Sequence, residues 1–305
     1  MIKLTGIADE AGASLDVQIK AHKELGWDSI EMRMVELNGV KGNLHEIPDA
    51  TFDAVCETLS AHQMGVCGFG SLIGNWAKKI DGDFSVTIAE IERAIPRMQR
   101  LGAQLIRVMS YAVCKDDAGC DLEEQHVEER FRRMREIKSR FDAAGLTMIH
   151  ENCMNWGGMS VEHVHRMNEA VPGMKWVFDT GNPVFIEDRA QQGKKQDSWE
   201  MYQAIKPHMA HVHVKDGRWV AAKNDADYTY PGEGEGQTDR ILADLVTSGY
   251  QGYISIEPHV AVVFHGAGAA DDLSAEQKAK EQYDSYLKYG RQLDAMLKKH
   301  GAVFA

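Results

Sequence analysis

Short apolar runs alternate along this chain with longer segments in which apolar residues recur at helical spacing. The run Ile2–Ala8 is followed by a helical segment that begins after Ser14, and Ser29–Met32 starts the next run. Runs of this kind predict buried strands, and the segments between them predict amphipathic helices. The alternation therefore indicates strands that pair in parallel through helical crossovers.

The same alternation continues to the end of the chain. Further strands are predicted at Met64–Phe69, Gln104–Met109, Leu146–Glu151, Lys175–Asp179, Ala210–Val214 and Gly252–Glu257. Helices are predicted near residues 48–62, 86–101, 122–144, 160–170, 198–205, 238–248 and 274–299. Eight such units favour an α/β fold of the (β/α)8 TIM barrel type, and the 305 residues suit one domain spanning 1–305. No Gly-x-Gly-x-x-Gly follows the first strand, which disfavours a dinucleotide-binding fold.

Side chains that bind metal ions in proteins stand at the ends of several predicted strands. They are Glu151, Asp179, His213 and Glu257. Strand C-termini share one mouth in such a barrel, so the spacing predicts that these side chains meet there. Carboxylates with one imidazole suit a divalent ion, Mn²⁺ first, with Mg²⁺, Co²⁺ or Zn²⁺ as alternatives. Each residue alone is explained as well by a helix cap, an ion pair or a buried histidine, but the combination favours a metal-dependent enzyme.

Composition limits the possible partners. Lys and Arg number 34 against 46 Asp and Glu, a formal net charge of −12, which argues against nucleic acids and acidic membranes. No stretch approaches the ~20 apolar residues that cross a bilayer, and the N-terminus lacks the apolar core of a signal peptide. We therefore expect a cytoplasmic protein with a small-molecule partner, and the sequence leaves a homo-oligomer open. The five cysteines form no Cys-x-x-Cys pair, so no disulfide is predicted.

The segments around the candidate ligands resemble the xylose isomerase-like TIM barrels, which include sugar phosphate isomerase/epimerases and the AP endonuclease family 2. The resemblance covers essentially the whole chain and is most specific at His-Glu-Asn 150–152, Phe-Asp-Thr-Gly-Asn 178–182, His-Val-His-Val-Lys-Asp 211–216 and Ile-Glu-Pro 256–258. It implies that one Mn²⁺-like ion is bound by Glu151, Asp179, His213 and Glu257. In the epimerase branch, the residues matching Glu151 and Glu257 also exchange a proton with the carbohydrate through an ene-diolate.

Asn182 departs from the pattern that the resemblance implies. Ketose 3-epimerases usually carry a substrate-binding His three residues beyond the metal-binding Asp, and apurinic endonucleases use that His for a further zinc. The chain therefore lacks one ligand of a multi-zinc endonuclease. Together with the net charge of −12, this argues against a DNA substrate.

Several neighbouring residues are expected to support the ligands or contact the substrate. Strand alternation places His211 one layer below His213, so His211 is expected to orient the ligands from outside the coordination sphere, as is Asn182. Lys215 and Arg218 could hold a carboxylate, a phosphate or sugar hydroxyls, although Lys215 could equally form an ion pair at the rim.

Trp156 lies in a long polar loop after a predicted ligand strand and could either wall a substrate pocket or cover the barrel. The role of His150 stays open. Strand alternation points it away from Glu151, which favours a structural role, but both turn into the mouth if the strand ends at Ile149. His259 is expected to contact the substrate.

The sequence leaves three functions open. A divalent-metal-dependent sugar isomerase or epimerase comes first. The second is a metal-dependent lyase or dehydratase that acts on an oxo-sugar or a 3-oxo-glycoside, because segments 151–156 and 257–259 resemble barrels that eliminate aglycones, where His150 or His259 would be a base. The third is a non-catalytic sugar-binding barrel. Both reactions begin with removal of a proton beside a carbonyl, so the residues alone do not separate them.

Overall fold

The first strand and helix show how the sequence produces the repeating unit. The computed structural model describes residues 1–191, 193–261 and 273–304. Its first strand, Ile2–Gly6, is buried except at Lys3. Ser14 accepts a hydrogen bond from the Val17 amide and begins the helix Leu15–Glu24, as its position before the apolar pattern predicts.

Eight parallel strands build the barrel. The strands of the described residues are β1 (Ile2–Gly6), β2 (Ser29–Met32), β3 (Met34–Leu37), β4 (Val40–Asn43), β5 (Gly65–Gly70), β6 (Leu105–Val108), β7 (Thr147–Glu151), β8 (Lys175–Asp179), β9 (Met209–Val214), β10 (Asp216–Val220), β11 (Asp225–Thr229) and β12 (Gly252–Ile256). The main sheet has the order β1-β12-β9-β8-β7-β6-β5-β2. A parallel bridge between Ile7 and Glu31 joins its two ends and nearly closes the barrel. The predicted TIM barrel is confirmed.

Helices surround this barrel. Those of the described residues are α1 (Leu15–Glu24), α2 (Asp49–Ala61), α3 (Phe84–Leu101), α4 (Val127–Ala143), α5 (Val161–Ala170), α6 (Asn182–Phe185), α7 (Ser198–Ile205), α8 (Thr238–Thr247) and α9 (Ala275–Lys299). The last helix packs against α1 and α8 and so completes the outer ring. Gly290 permits this close approach, because a Cβ there would lie 2.8 Å from a methyl group of Leu25.

Two antiparallel hairpins extend the mouth beyond the simple repeat. β3 pairs with β4 after β2, and β10 pairs with β11 after β9. The second hairpin begins at Asp216 and otherwise lies in the stretch 217–237, whose length and polarity predict a part of the rim. Helix α4 begins at Val127 and not near Leu122 as the charge pattern predicts. The Gln125 side chain exchanges hydrogen bonds with the Cys114 backbone and holds the preceding residues as a loop.

The buried carboxylate of Asp216 fastens the second hairpin to the start of α8. It accepts hydrogen bonds from the amides of Gly232, Gly234 and Gly236 and from the Thr238 hydroxyl. A side chain at Gly234 would collide with this carboxylate, so only glycine fits there. The glycine-rich segment is therefore a turn that fixes the rim.

The described residues share one continuous apolar core. Barrel strands contribute fully buried side chains such as Ile106, Val108, Phe178, Val212 and Val214. Within the described ranges, no helix combines the length and apolar character needed to span a bilayer.

His22 is a titratable group buried between α1 and α9. Its Nδ1 donates a hydrogen bond to the Gln18 carbonyl at 2.9 Å, and its ring meets that of Trp27 edge-on at 5.4 Å. Burial lowers the pKa of His22 to about 4. The folded protein therefore holds this ring neutral under conditions in which an unfolded chain binds a proton.

We expect His22 to make the protein less stable in acid. When the pH falls below about 6.5, the ordinary pKa of histidine, the unfolded chain binds a proton at His22 that the folded protein does not bind. The free energy of unfolding should therefore fall between ~pH 6.5 and ~pH 4, by about 3 kcal/mol in total from this group. Urea unfolding at ~pH 7 and ~pH 5 should show a flatter decline in His22→Gln than in the parent protein. His165→Gln, on the exposed face of α5, is the matched control, and an unaltered slope in His22→Gln would contradict the assignment.

Candidate metal centre and catalytic pocket

The sequence-predicted ligand residues lie together at the mouth of the barrel. Glu151 and Asp179 end β7 and β8, His213 lies near the end of β9, and Glu257 follows β12. Strand register pairs Asp179 with His213. One donor atom of each side chain lies within 4.8 Å of the other three, and no member is more than 4% exposed. The fold thus brings together residues separated by up to 106 positions in the chain.

The imidazole of His213 is oriented from both sides. Its Nε2 lies 3.0 and 3.1 Å from the two carboxylate oxygens of Glu31. Its Nδ1 faces the cluster, 3.4 Å from Glu151 Oε1 and 3.6 Å from Glu257 Oε2. A carboxylate behind a histidine fixes the ring and raises the basicity of the opposite nitrogen. Nδ1 is therefore the ring atom available to a cation.

Glu31 was missed by sequence reasoning, and it organises the layer below the cluster. It also lies 2.7 Å from His211 Nε2 and accepts a hydrogen bond from the Ser255 hydroxyl. His211 thus occupies the deeper layer that strand alternation predicts. Although burial alone would raise the pKa of Glu31, His213 and His211 hold it well below its usual range. The signal in the sequence is a lone acid within the apolar strand β2.

Two arginines, also missed from the sequence, hold the candidate proton-transfer carboxylates: Arg107 is buried and Arg33 is half-buried. An Nη1–Oε distance of 3.0 Å joins Arg107 to Glu151, and another of 3.0 Å joins Arg33 to Glu257. Arg33 also contacts Asp9 and Glu10, which follow β1. Each guanidinium therefore occupies one oxygen of its partner, and the other oxygen faces the cluster, Glu151 Oε1 towards His213 and Glu257 Oε2 towards Lys215.

The side chain of Lys215 is a third cationic group at the cluster, in addition to the two arginines. Its Nζ lies 3.0 Å from Asp179 Oδ2 and 3.1 Å from Glu257 Oε2, and the residue is only 5% exposed. Burial acts to lower the pKa of Lys215, but Asp179, Glu257 and Glu151 outweigh it and raise the pKa well above its usual range. The side chain is therefore an ammonium ion within the pocket.

The close approach of the carboxylates in this cluster is electrostatically unfavourable. Burial raises the pKa of Asp179 to about 7, and repulsion from Glu257 and Glu151 adds to the effect while Lys215 opposes it. Added positive charge would relieve this repulsion. Three carboxylates and an imidazole nitrogen within 4.8 Å of one another are donors of the kind and spacing that could hold one divalent ion.

A cavity of about 310 Å³ opens above the cluster. Its polar wall includes the two arginines, Lys215, Asn182, Tyr228 and His259, and its outer wall includes Trp76 and Met154. This volume is at the lower end of the roughly 300–1,000 Å³ typical of small-ligand sites. The pocket therefore suits a small polar molecule that meets the carboxylates at its base.

Asn182 and His259 lie at the pocket, where the sequence places them. The Asn182 side chain donates a hydrogen bond to Glu151 Oε1 at 3.4 Å, and the Asn182 backbone N–H donates one to Asp179 Oδ1 at 2.6 Å. The Nδ1 of His259 lies 3.0 Å from Glu10 Oε1. Its backbone has a φ of +51°, a left-handed conformation that turns the chain at the mouth.

Trp156 and Arg218 do not line this cavity, which corrects their assignment to substrate contact. Trp156 is 2% exposed and packs edge-on against Phe131 and His163, because a short 3-10 helix folds its loop back onto α4 and α5. Arg218 is exposed on β10 and donates a hydrogen bond to the Glu233 carbonyl.

His150 has a structural role, which corrects its assignment as a catalytic base. Strand β7 continues through Glu151, so alternation directs His150 to the opposite side. The ring is fully buried and meets Trp176 edge-on at 4.6 Å. Burial lowers the pKa of His150 to about 4.

Solved structures similar to this one share its barrel. A zinc-bound IOLI protein is 14% identical with a TM-score of 0.69, over 98% of this chain and 99% of that chain. A D-psicose 3-epimerase from Clostridium cellulolyticum H10, solved with D-tagatose, is 15% identical with a TM-score of 0.64, over 95% and 98%. The probable 3-DHS dehydratase AsbF from Bacillus anthracis is 17% identical with a TM-score of 0.62, over 92% and 97%. At these identities the likeness shows the fold alone.

The family of the chain follows from its sequence. No curated protein matches it significantly. The family model described as xylose isomerase-like TIM barrel matches residues 19–289, which include every strand that carries a candidate ligand. The chain belongs to the xylose isomerase-like TIM barrel family.

Proposed function

We propose that this protein is a divalent-metal-dependent isomerase or epimerase that acts on a small carbohydrate. One observation carries the proposal: Glu151 and Glu257 enter the same buried pocket from non-neighbouring strands, and each has one oxygen held by its own arginine. Such a pair can accept a proton from one carbon of a bound molecule and return it at another position. The zinc-bound and epimerase structures of the same fold support the choice.

The ion would be held by Glu151, Asp179, His213 and Glu257. When bound there, it would polarise a substrate carbonyl and stabilise the negative charge that develops on oxygen. Mn²⁺ suits the mixture of three carboxylates and one imidazole, and Mg²⁺, Co²⁺ or Zn²⁺ share enough of its preferences to bind as well.

The surrounding side chains keep Glu151 and Glu257 ionised and in place. Arg107 and Arg33 restrict Glu151 and Glu257 to one orientation, which favours proton transfer at a fixed distance. The ammonium of Lys215 lies between Asp179 and Glu257. It could bind a substrate hydroxyl or carbonyl oxygen when one of these carboxylates binds the divalent ion instead. Asn182 offers a neutral hydrogen bond beside Glu151.

A second candidate is elimination of water or of a leaving group from an oxo-sugar or 3-oxo-glycoside. The observation that favours it is a further titratable pair at the mouth. His259 lines the pocket and stacks near Tyr228, with ring centroids 5.1 Å apart. Either side chain could protonate a departing oxygen while a carboxylate removes the proton beside the carbonyl. The dehydratase of the same fold supports this alternative.

We expect the protein to bind one divalent ion per chain. Elemental analysis after incubation with Mn²⁺ and desalting should give about one equivalent, and calorimetric titration should give the affinity. Asp179→Asn should lower that affinity by at least about tenfold, because an ionised ligand is replaced by a neutral one. The matched control is Asp117→Asn on an exposed loop. Retention of parental affinity in Asp179→Asn would remove this residue from the site.

Glu31→Gln tests the support behind His213. The amide keeps the shape of the carboxylate but loses the charge that orients both imidazoles, so the affinity for Mn²⁺ should fall by roughly 10- to 100-fold. Far-ultraviolet circular dichroism should show an intact fold. Glu36→Gln, on the neighbouring β3 hairpin, provides the control and should bind as the parent does. Equal affinities in the two variants would argue against a role for Glu31 in metal binding.

Replacement of either candidate proton-transfer residue should abolish most turnover. With Mn²⁺ at saturation, Glu151→Gln and Glu257→Gln should each lower kcat by at least ~10²-fold, because the carboxylate base is lost while the side chain keeps its size. A panel of ketoses, inososes and 3-oxo-glycosides provides the substrates.

Product analysis in D₂O separates the two reactions. An isomerase or epimerase places solvent deuterium at the reacting carbon, or carries the same proton across a shielded carboxylate. A lyase releases water or a separate fragment. Absence of solvent exchange, of intramolecular transfer and of fragment release across the panel would overturn both enzymatic functions and leave the non-catalytic sugar-binding barrel.

A further inference from the structure

An apolar groove adjoins the catalytic pocket. It has a volume of about 290 Å³, and its apolar lining includes Trp76, Val113, Met154, Met159, Phe185 and Ile186. Trp76 and Met154 line both the groove and the pocket above the carboxylates. The two compartments are therefore neighbours that share a wall.

The shared wall is unusually apolar for a protein surface. Trp76 is 57% exposed and Met154 is 62% exposed, which places them among the most exposed large hydrophobic side chains of the described residues. Exposed apolar groups that converge beside a polar pocket mark a binding surface more often than scattered ones do. A flat indole and a flexible thioether can close on a planar group from two sides.

Aromatic contacts connect the groove to the catalytic pocket. Phe185 in the groove packs edge-on against Tyr228 in the pocket, with centroids 5.1 Å apart, and Tyr228 in turn lies beside His259. Three charged residues, Lys115, Glu187 and Arg189, complete the rim of the groove, and Arg189 pairs with Asp121 at 2.5 Å. A ligand that spans both compartments would thus pass from the apolar side chains of the groove to the polar wall of the pocket.

We propose that the groove is a subsite for a flat apolar substituent, so that the substrate is a carbohydrate conjugate that carries a carbonyl group on the sugar, such as an aryl 3-oxo-glycoside, and not a free monosaccharide. This inference rests on the proposed function, since the carbohydrate part occupies the pocket above Glu151 and Glu257. The substituent fills the groove against Trp76 and Met154. Burial of its apolar surface then supplies binding that a free sugar cannot obtain.

Matched ligands test the subsite directly. Phenyl and methyl β-glucosides, β-galactosides and β-xylosides share a carbohydrate part within each pair and differ only in the substituent. Isothermal titration with Mn²⁺ present should show at least one pair in which the phenyl glycoside binds about tenfold or more tightly. A ratio near one in every pair, or no binding of any phenyl glycoside, would overturn the proposal.

Variants assign that preference to the groove. Trp76→Ala should bring the phenyl-to-methyl ratio close to one, whereas Trp76→Phe should keep most of it because a flat ring remains. Leu122→Ala removes an exposed apolar side chain outside both compartments and should leave the ratio unchanged. A merely structural role of Trp76 would weaken both ligands equally and preserve the ratio, which would overturn the assignment.

The remaining outcomes separate this proposal from the proposed function. Proton exchange with free sugars but no phenyl preference would overturn the subsite alone. A phenyl preference that Trp76→Ala removes, without proton transfer or elimination from any substrate, would support the subsite and overturn the enzymatic function. If Trp76→Ala changes the oligomeric state in analytical ultracentrifugation and leaves the ratio unaltered, the groove is an interface between copies of this chain and the subsite is wrong.

Discussion

Compensation of buried negative charge is the constraint on which the mouth of this barrel depends. Removing one partner of a buried ion pair costs several kcal/mol, because it leaves an unpaired charge away from water. Glu151, Glu257 and Asp179 converge at this site, and Arg107, Arg33 and Lys215 lie against them at about 3 Å. The cations hold Glu151 and Glu257 ionised and fix the geometry of all three acids, so stability and candidate chemistry rest on the same contacts.

The barrel makes this concentration of charge possible. Parallel strands end at one rim, and their carboxyl ends place side chains on rigid backbone, where catalytic geometry is held more exactly than on loops. Glu31 and His211 fill the layer beneath and turn His213 toward the cluster. The hairpins and the Asp216 turn then build walls around a rim whose positions are already set.

The polar pocket and the apolar groove divide the mouth into parts with different physical roles. Charged groups at the base favour a reaction that moves a proton beside a polarised carbonyl. Apolar side chains at the edge can bind a substituent that takes no part in that step. Binding energy from such a remote group can hold the reacting carbon against the carboxylates. Contacts in the groove would therefore raise the rate of the reaction as well as the affinity for the substrate.

The barrel and the candidate ligand set can be predicted from the sequence, because both depend on local patterns. Apolar runs mark the strands, and Glu151, Asp179, His213 and Glu257 stand where those runs end. Alternation along β9 likewise placed His211 below His213. The three-dimensional fold supplies the counter-charges, since Arg33 meets Glu257 across 224 positions and Glu31 meets His211 across 180. It also decided the loops: non-local packing buried Trp156 and turned Arg218 outward, and no local pattern encodes such contacts.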